Sequence, residues 1–272
     1  MAFVIAQISD LHISTPGDGP DGRYQTADHL TQAIGVLNTV APRPDIVVAS
    51  GDLVDKASVE EYTRLRELLT PLEIPLYLMV GNHDSRDNLR QTFPDHSYLP
   101  DGEFVHYTIE DQPLRIICLD TMDPGKISGI LCAERLAWLD DQLSAQADRP
   151  TLIFMHHPPF TSGLAPMDKH GFYAGTELAP IIQKHKQVVR ISSGHLHRPV
   201  TTGWAGTVVS VAASTAHQIA LNPVADTPIS IVMEPPAFLL HMWDDNNGLA
   251  THTIYTNQYE VRDRVKVGHV GK

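Results

Sequence analysis

The sequence predicts an α/β fold, an αββα sandwich of two mixed β-sheets flanked by helices. Three observations predict it. Up to about residue 190, short apolar β-rich runs alternate with stretches of helical periodicity. After His197 the pattern changes to strands with little helix between them. The 272 residues can bury a sizeable core, yet contain no internal repeat, low-complexity tract or clear linker. Alternating β and α elements followed by a β-rich end call for sheets at the centre and helices outside.

Each element has its own signal. Residues 3–8, Phe-Val-Ile-Ala-Gln-Ile, read as the first strand. Ala27, Leu30, Ile34, Leu37 and Ala41 then fall three or four apart, which is the helical period. Residues 46–50 form a second buried strand. Ser58 and Glu61 match a capping box that opens a helix carrying Val59, Tyr62, Leu65, Leu69 and Leu72. Residues 75–80 are a third strand, and 103–109 with 114–119 form a hairpin around Asp111-Gln112-Pro113. A helix runs through Leu136, Leu139 and Leu143, followed by strands at 151–155 and 188–191. The last strands are 208–211, 229–233, 237–243 and 250–255. This organisation makes residues 1–264 one domain, with 206–256 as its β-rich C-terminal part. The Pro- and Gly-rich segment 158–175 is long enough for a lid, and 265–272 reads as a mobile tail.

Composition narrows the function. The formal net charge of −12 argues against binding to duplex nucleic acid or to an anionic membrane. No apolar run approaches the roughly 20 residues that cross a bilayer. The start lacks a basic region and a cleavage site, so a cytoplasmic location is expected. Cys118 and Cys132 form no Cys-x-x-Cys pair and read as reduced structural thiols. The chain has 15 histidines, and their placement carries the argument.

Five strands are followed at once by ligand-type side chains: Asp10-Leu11-His12, Gly51-Asp52-Leu53-Val54-Asp55, Gly81-Asn82-His83-Asp84, His156-His157 and Gly194-His195-Leu196-His197. In open α/β sheets ligands bind at the carboxyl ends of strands, so these segments should share one rim. Taken singly, each has an ordinary reading. Asp near His is commonly a turn, Asn82 or Asp84 can cap a helix, and Asp55 can be a solvated turn carboxylate. His-x-His is stronger, because alternate residues of an extended segment share a face. Five such blocks in order make coincidence a poor account.

The series Asp10-x-His12, Gly51-Asp52-x-x-Asp55, Gly81-Asn82-His83-Asp84, His156 and Gly194-His195-x-His197 resembles that of the calcineurin-like metallophosphoesterases. Within them it is most similar to class III cyclic nucleotide phosphodiesterases and bacterial glycerophosphodiesterases. The resemblance implies that one metal takes Asp10, His12, Asp52 and His197. A second takes Asp52, Asn82, His156 and His195, with Asp52 bridging. It implies that His83 meets the phosphate or the leaving oxygen, and that Asp55 orients His83 by accepting its other N–H. Asn82 then also borders the substrate, and His217 in Ala216-His217-Gln218 touches it. His157 is the alternative to His156, which the family register favours. A homodimer or higher homo-oligomer is implied as well.

The chemistry is coherent. Two carboxylates against two divalent ions leave about +2, which attracts a phosphodiester monoanion despite the acidic exterior. Two such ions lower the pKa of a bridging water, and the hydroxide attacks phosphorus in line with the leaving alkoxide. Oxygen and nitrogen ligands without thiolate suit Mn, Fe, Co or Zn alike. The expected activity is hydrolysis of a small phosphodiester, a 3′,5′-cyclic nucleotide such as cAMP or a glycerophosphodiester. A phosphomonoesterase or protein phosphatase would need cations for a dianion, and Lys56, Arg86 and Arg198 are the ones adjacent to the motifs. A nuclease would need a basic stripe. A non-catalytic scaffold would be expected to have lost ligands, and none is missing.

Overall fold

The computed structural model describes residues 2–264, so the expected tail at 265–272 lies outside the described residues. In chain order the elements are β1 (Phe3–Ile8), α1 (Gly19–Tyr24), α2 (Thr26–Thr39), β2 (Ile46–Ala49), α3 (Val59–Leu69), β3 (Leu76–Leu78) and α4 (Arg86–Thr92). Then come β4 (Tyr107–Ile109), β5 (Arg115–Leu119), α5 (Ala133–Ala145), β6 (Thr151–Met155), α6 (Ala165–Asp168), α7 (Gly175–Lys184) and β7 (Val188–Ser193). The chain ends in β8 (Val200–Trp204), β9 (Thr207–Val211), β10 (Gln218–Ile219), β11 (Ile231–Val232), β12 (Ala237–Asp244) and β13 (Gly248–Tyr255).

Two mixed sheets stand at the centre. The first has order β13-β12-β1-β2-β3, the second β4-β5-β6-β7-β9-β8. The strands β1-β2-β3 and β5-β6-β7-β9 are parallel, and antiparallel strands close the other edges. The second sheet shows the sandwich in its alternation. Ile116, Cys118, Leu152 and Phe154 pack into one core with β1, β2, α2 and α3. Their neighbours Ile117, Leu119, Ile153 and Met155 pack with Leu139 and Leu143 of α5 and Leu178 and Ile182 of α7. A period of two thus splits each strand between the inter-sheet core and the helical layer. Strands buried on both faces have no polar positions to alternate, which is why they read as unbroken apolar runs.

The capping box is realised. Ser58 Oγ accepts from Glu61 N at 3.2 Å and Glu61 Oε2 accepts from Ser58 N at 3.3 Å. Such a cap is worth about 1 kcal/mol. Several boundaries differ from expectation. Ala41 and Leu72 lie beyond the ends of α2 and α3, and Val59 is exposed. The strand expected over 103–109 is only Tyr107–Ile109, and that over 229–233 only Ile231–Val232. Helix α7 is hidden in the sequence by Pro180 in its interior, since proline normally argues against helix. Segment 158–175 is not all loop, because α6 lies within it. The β-rich C-terminal part is shared out: β9 joins the second sheet, β12 and β13 the first, and β10 and β11 pair as a two-stranded sheet of their own.

Candidate metal centre

The parallel strands β1, β2, β3, β6 and β7 point their carboxyl ends one way, and the five ligand-type blocks follow those ends. Backbone bonds lace the blocks together. Gly51 O accepts from Asp10 N at 3.1 Å, Asp52 O from His12 N at 3.0 Å, and His156 O from Gly194 N at 3.0 Å. The Asp10 carboxylate reaches across to accept from His195 N at 3.0 Å.

The local backbone is strained for this purpose. Asp10, His12, Asp52, His195 and His197 all have φ between +46° and +70°. They are five of the nine non-glycine residues with positive φ among the described residues, so strain gathers at the site. The glycines of the blocks permit close approach. A Cβ at Gly81 would lie 2.3 Å from Asp52 Oδ1 and 2.8 Å from His156 Nε2. One at Gly194 would lie 2.0 Å from Ser9 Oγ and 2.8 Å from Asp10 Oδ2.

The side chains converge. His12 Nε2 and His197 Nε2 are 3.0 Å apart. His197 Nε2 lies 3.5 Å from Asp10 Oδ1, and His12 Nε2 lies 3.7 Å from Asp52 Oδ2. Ligand atoms of Asp10, His12, Asp52 and His197 all fall within 4.8 Å of one another. On the other side of Asp52, His156 Nε2 is 3.3 Å from Asp52 Oδ2. All of these side chains are buried.

Burial with missing partners tests whether metal fits. Asn82 Oδ1, His156 Nε2 and His195 Nε2 are buried with no protein hydrogen-bond partner. Ten other buried side-chain atoms among the described residues also lack a partner, but these three belong to the ligand-type blocks, where a cation would complete them. The outer nitrogens set the tautomers. Ser50 O accepts from His156 Nδ1 at 2.9 Å and His217 O from His197 Nδ1 at 3.0 Å, which leaves each Nε2 as a lone pair facing inward. Carboxylates, a carboxamide oxygen and inward imidazole lone pairs fit divalent cations.

Without metal, His195 and His197 stay neutral while Asp52 keeps a proton on His156, which a bound cation would displace. Burial and the neighbouring His156 leave His195 lowered to about 3, and burial lowers His197 to about 4, so both stay neutral. Burial opposes charge on His156 too, but Asp52 beside it prevails and raises it to about 9. Asp52 itself, though desolvated, is held well below the usual carboxylate range by His156, His83 and His12.

His157 also groups with His156 and His195, their ligand atoms within 4.8 Å of one another, but its ring is engaged elsewhere. Its ring nitrogens are taken by Thr121 Oγ1 at 2.8 Å and Ile127 O at 3.0 Å. His83 presents a half-exposed ring that meets His12 edge-on at 4.7 Å. Its backbone N–H donates to Asp52 Oδ1 at 2.8 Å. His217 stacks on Tyr24 at 4.6 Å and lies 4.7 Å from the His197 ring, with Nδ1 buried and unpartnered.

Two expectations are corrected. His83 Nδ1 bonds the backbone carbonyl of Asp55 at 2.7 Å, not its carboxylate, whose Oδ1 is 3.8 Å away. That carboxylate is equally close to His12 Nδ1, at 3.7 Å, behind the inward Nε2 of His12. Asp84 caps no helix, because Ser85 Oγ does so by accepting from Asn88 N at 3.3 Å. Buried Asp84 instead accepts from Leu53 N, Gly81 N and Tyr62 Oη, tying the Asp52 loop to the Asn82 loop. Burial and the nearby Asp52 raise it to about 6. Tyr62, Tyr24 and Gln7 are legible in the sequence only as core or surface residues, and no local motif marks them.

A cleft of about 410 Å³ opens beside Asn82, lined by Ser85, Arg86, Gly102, Glu103 and Met122 among others. A larger cavity of about 520 Å³, between Arg66, Tyr77 and Tyr98, lies apart from the ligand-type residues.

The chain resembles known proteins in sequence and in fold. A probable glycerophosphodiester phosphodiesterase of Arcobacter nitrofigilis is 38% identical over 95% of each chain. A glycerophosphodiester phosphodiesterase of Enterobacter lignolyticus is 33% identical, over 88% of this chain and 86% of the relative. A probable cyclic nucleotide phosphodiesterase of Rhodopseudomonas palustris is also 33% identical over the same shares. Among solved structures, a purple acid phosphatase from yellow lupin superposes with TM-score 0.70 at 15% identity, over 97% of this chain and 53% of that one. A dimetal phosphatase from Danio rerio does so with TM-score 0.63 at 16% identity, over 94% and 99%. These two likenesses concern the fold. The family model of calcineurin-like phosphoesterases matches residues 3–199, a span that contains all five ligand-type blocks, and the chain belongs to that family.

Proposed function

We propose that the protein hydrolyses small phosphodiesters at a dinuclear site. In this reading Asp10, His12, Asp52 and His197 hold one divalent ion, and Asp52, Asn82, His156 and His195 the other. The observation that carries it is the set of buried, unpartnered atoms Asn82 Oδ1, His156 Nε2 and His195 Nε2 beside the four-residue cluster that shares Asp52. Two such ions, drawn from Mn, Fe, Co or Zn, would supply Lewis acidity toward the phosphoryl oxygens and would lower the pKa of a water.

The chain's own residues supply the rest. Asp52 keeps its charge between the two donor sets and takes the His83 N–H, which anchors the His83 backbone at the rim. The Asp55 carbonyl receives Nδ1–H of His83, so Nε2 faces outward, free to meet a phosphoryl or leaving oxygen. Asp55's carboxylate sits behind His12. His217 and Tyr24 form an aromatic wall at the His12–His197 side. Segment 158–175 serves as the lid of a single catalytic domain.

Charge favours a diester over a monoester. Lys56 is paired with Asp18 at 2.7 Å, Arg86 with Asp120 at 2.6 Å, and Arg198 with Glu234 at 2.8 Å. The cations adjacent to the motifs are therefore engaged, and a dianion would find none of these three free. The relatives named above extend the reading to glycerophosphodiesters first and 3′,5′-cyclic nucleotides second.

The test is hydrolysis of an aryl phosphodiester and its monoester by manganese-loaded protein, with Asn82→Ala as control. Faster diester cleavage that fails in the control supports the proposal, and glycerophosphodiesters are then compared with cAMP. Preference for the monoester moves the reading to a phosphatase. Inactivity on both, and on the natural diesters, with two metals bound, favours a scaffold.

A further inference from the structure

We infer that Gln7 is a positioning residue for the dinuclear site, its carboxamide setting the spacing between the two sheets where the ligand-bearing strands end. The inference rests on the dinuclear reading above.

Gln7 lies on β1 of the first sheet and is fully buried. All four hydrogen-bonding positions of its amide are used. Nε2 donates to Ser50 Oγ at 2.8 Å and to Ser193 O at 3.0 Å. Oε1 accepts from Ser192 Oγ at 2.5 Å and faces His241 Nε2 at 3.1 Å. Thr251 Oγ1 lies 2.9 Å from His241 Nδ1. With the threonine hydroxyl donating there, His241 Nε2 carries the proton and donates to Oε1, which fixes which end of the amide faces Ser50. Burial lowers His241 to about 3, so it remains the neutral ring this arrangement needs.

The partners are placed where ligand geometry is decided. Ser50 directly follows β2, two residues before Asp52, and Ser193 ends β7 two residues before His195. Gln7 itself is three residues before Asp10. The carbonyl of Ser50 also accepts from His156 Nδ1 at 2.9 Å. One amide therefore joins the roots of the Asp10, Asp52 and His195 loops, and through Ser50 it reaches His156. Those residues come from both sheets, and the proposed second site draws ligands from both.

A leucine of similar volume would fill the space, at a cost in stability because Ser50, Ser192, Ser193 and His241 would each lose a buried partner. What leucine lacks is a directional link. Dispersion lets two sheets slide by fractions of an ångström, whereas four hydrogen bonds with fixed angles hold one register. Groups that orient ligands in this way typically cost 10–100-fold in metal affinity when removed.

The experiment titrates metal-free wild type and Gln7→Leu with Mn(II) by calorimetry, alongside the visible spectrum of the Co(II)-loaded proteins. Gln7→Leu should fold cooperatively, yet bind the weaker ion about 10–100-fold less tightly, with an altered Co(II) spectrum and a fall in kcat that exceeds any change in KM. A folded Gln7→Leu whose isotherm and spectrum match wild type overturns the role. Should Gln7→Leu fail to fold, Ser50→Ala and Ser192→Ala each remove one arm and should weaken the same ion by about fivefold. Unchanged affinity in both also overturns it. Wild type that binds fewer than two ions overturns the dinuclear reading itself, and this role with it, which a normal wild-type isotherm does not.

Discussion

Replacing Gly81 by alanine tests the architecture of the site without removing any ligand. The added Cβ would stand 2.3 Å from Asp52 Oδ1, 2.5 Å from Asp52 N and 2.8 Å from His156 Nε2. Ordinary contact starts near 3.4 Å, so the carboxylate oxygen must retreat by 3.4 − 2.3 = 1.1 Å, or the Gly81 backbone must move instead. Asp52 cannot yield freely, because its backbone carries the bond from His12 N and its Oδ1 accepts from His83 N. Metal–ligand distances tolerate only about 0.2 Å. Overpacking of this kind costs about 1–3 kcal/mol of stability, which a protein of this size survives. A displacement of about 1 Å at a reacting centre costs about 100-fold in rate. Gly81→Ala should therefore stay folded, bind Mn(II) at least 10-fold more weakly and lose about 100-fold in kcat/KM for an aryl phosphodiester. Calorimetry and a chromogenic assay read both. Wild-type affinity and turnover in Gly81→Ala would refute the claim that this glycine exists to let Asp52 and His156 close in.

Other perturbations are separable. His83→Ala should keep both metals and lose most turnover, at least 10²-fold with a poor leaving group; unchanged rates on such a substrate would remove its assigned role. Asp52→Ala should leave neither ion at normal occupancy, which elemental analysis of the purified variant would read. His241 gives a pH dependence: its folded value, about 3, is below the ordinary 6.5, so its stabilising contribution is present above pH 6.5 and is lost as pH falls toward 3. Each pH unit in that window costs up to about 1.4 kcal/mol from this group. In urea unfolding of metal-free protein, His241→Gln should lose less stability between pH 6.5 and 5 than wild type, and equal slopes would contradict this. Gly35 lies within α2 with open space where an added methyl would stand, so Gly35→Ala should raise stability by about 0.5–1 kcal/mol and leave activity alone.

Much of the fold is legible because its signals are local. The capping box at Ser58 and Glu61, the spacing of Leu30, Ile34 and Leu37, and the apolar runs of β1, β2 and β6 each need only a few neighbouring residues to be read. Helix α7 escapes the sequence for the same reason, since Pro180 is a local signal that the packing of Leu178 and Ile182 overrides. The distribution of the last strands among the sheets is likewise hidden. Strand β12 pairs with β1 across more than 230 residues of chain, as Phe3 opposite Trp243 shows, and no pattern within β12 names its partner.

The site divides along the same line. By itself the sequence determined which donor types follow which strands, because each block sits beside its strand and glycine precedes Asp52, Asn82 and His195 where the backbones must approach. Only the tertiary structure decided how those donors are held. It left His156 Nε2 free while Thr121 and Ile127 occupied His157, and it turned Asp55's carbonyl, not its carboxylate, to His83. It also placed Asp84 between two loops and Gln7 between two sheets. The physical reason is that a hydrogen bond is fixed by distance and angle between groups tens or hundreds of residues apart, and those become neighbours only when the sheets have packed.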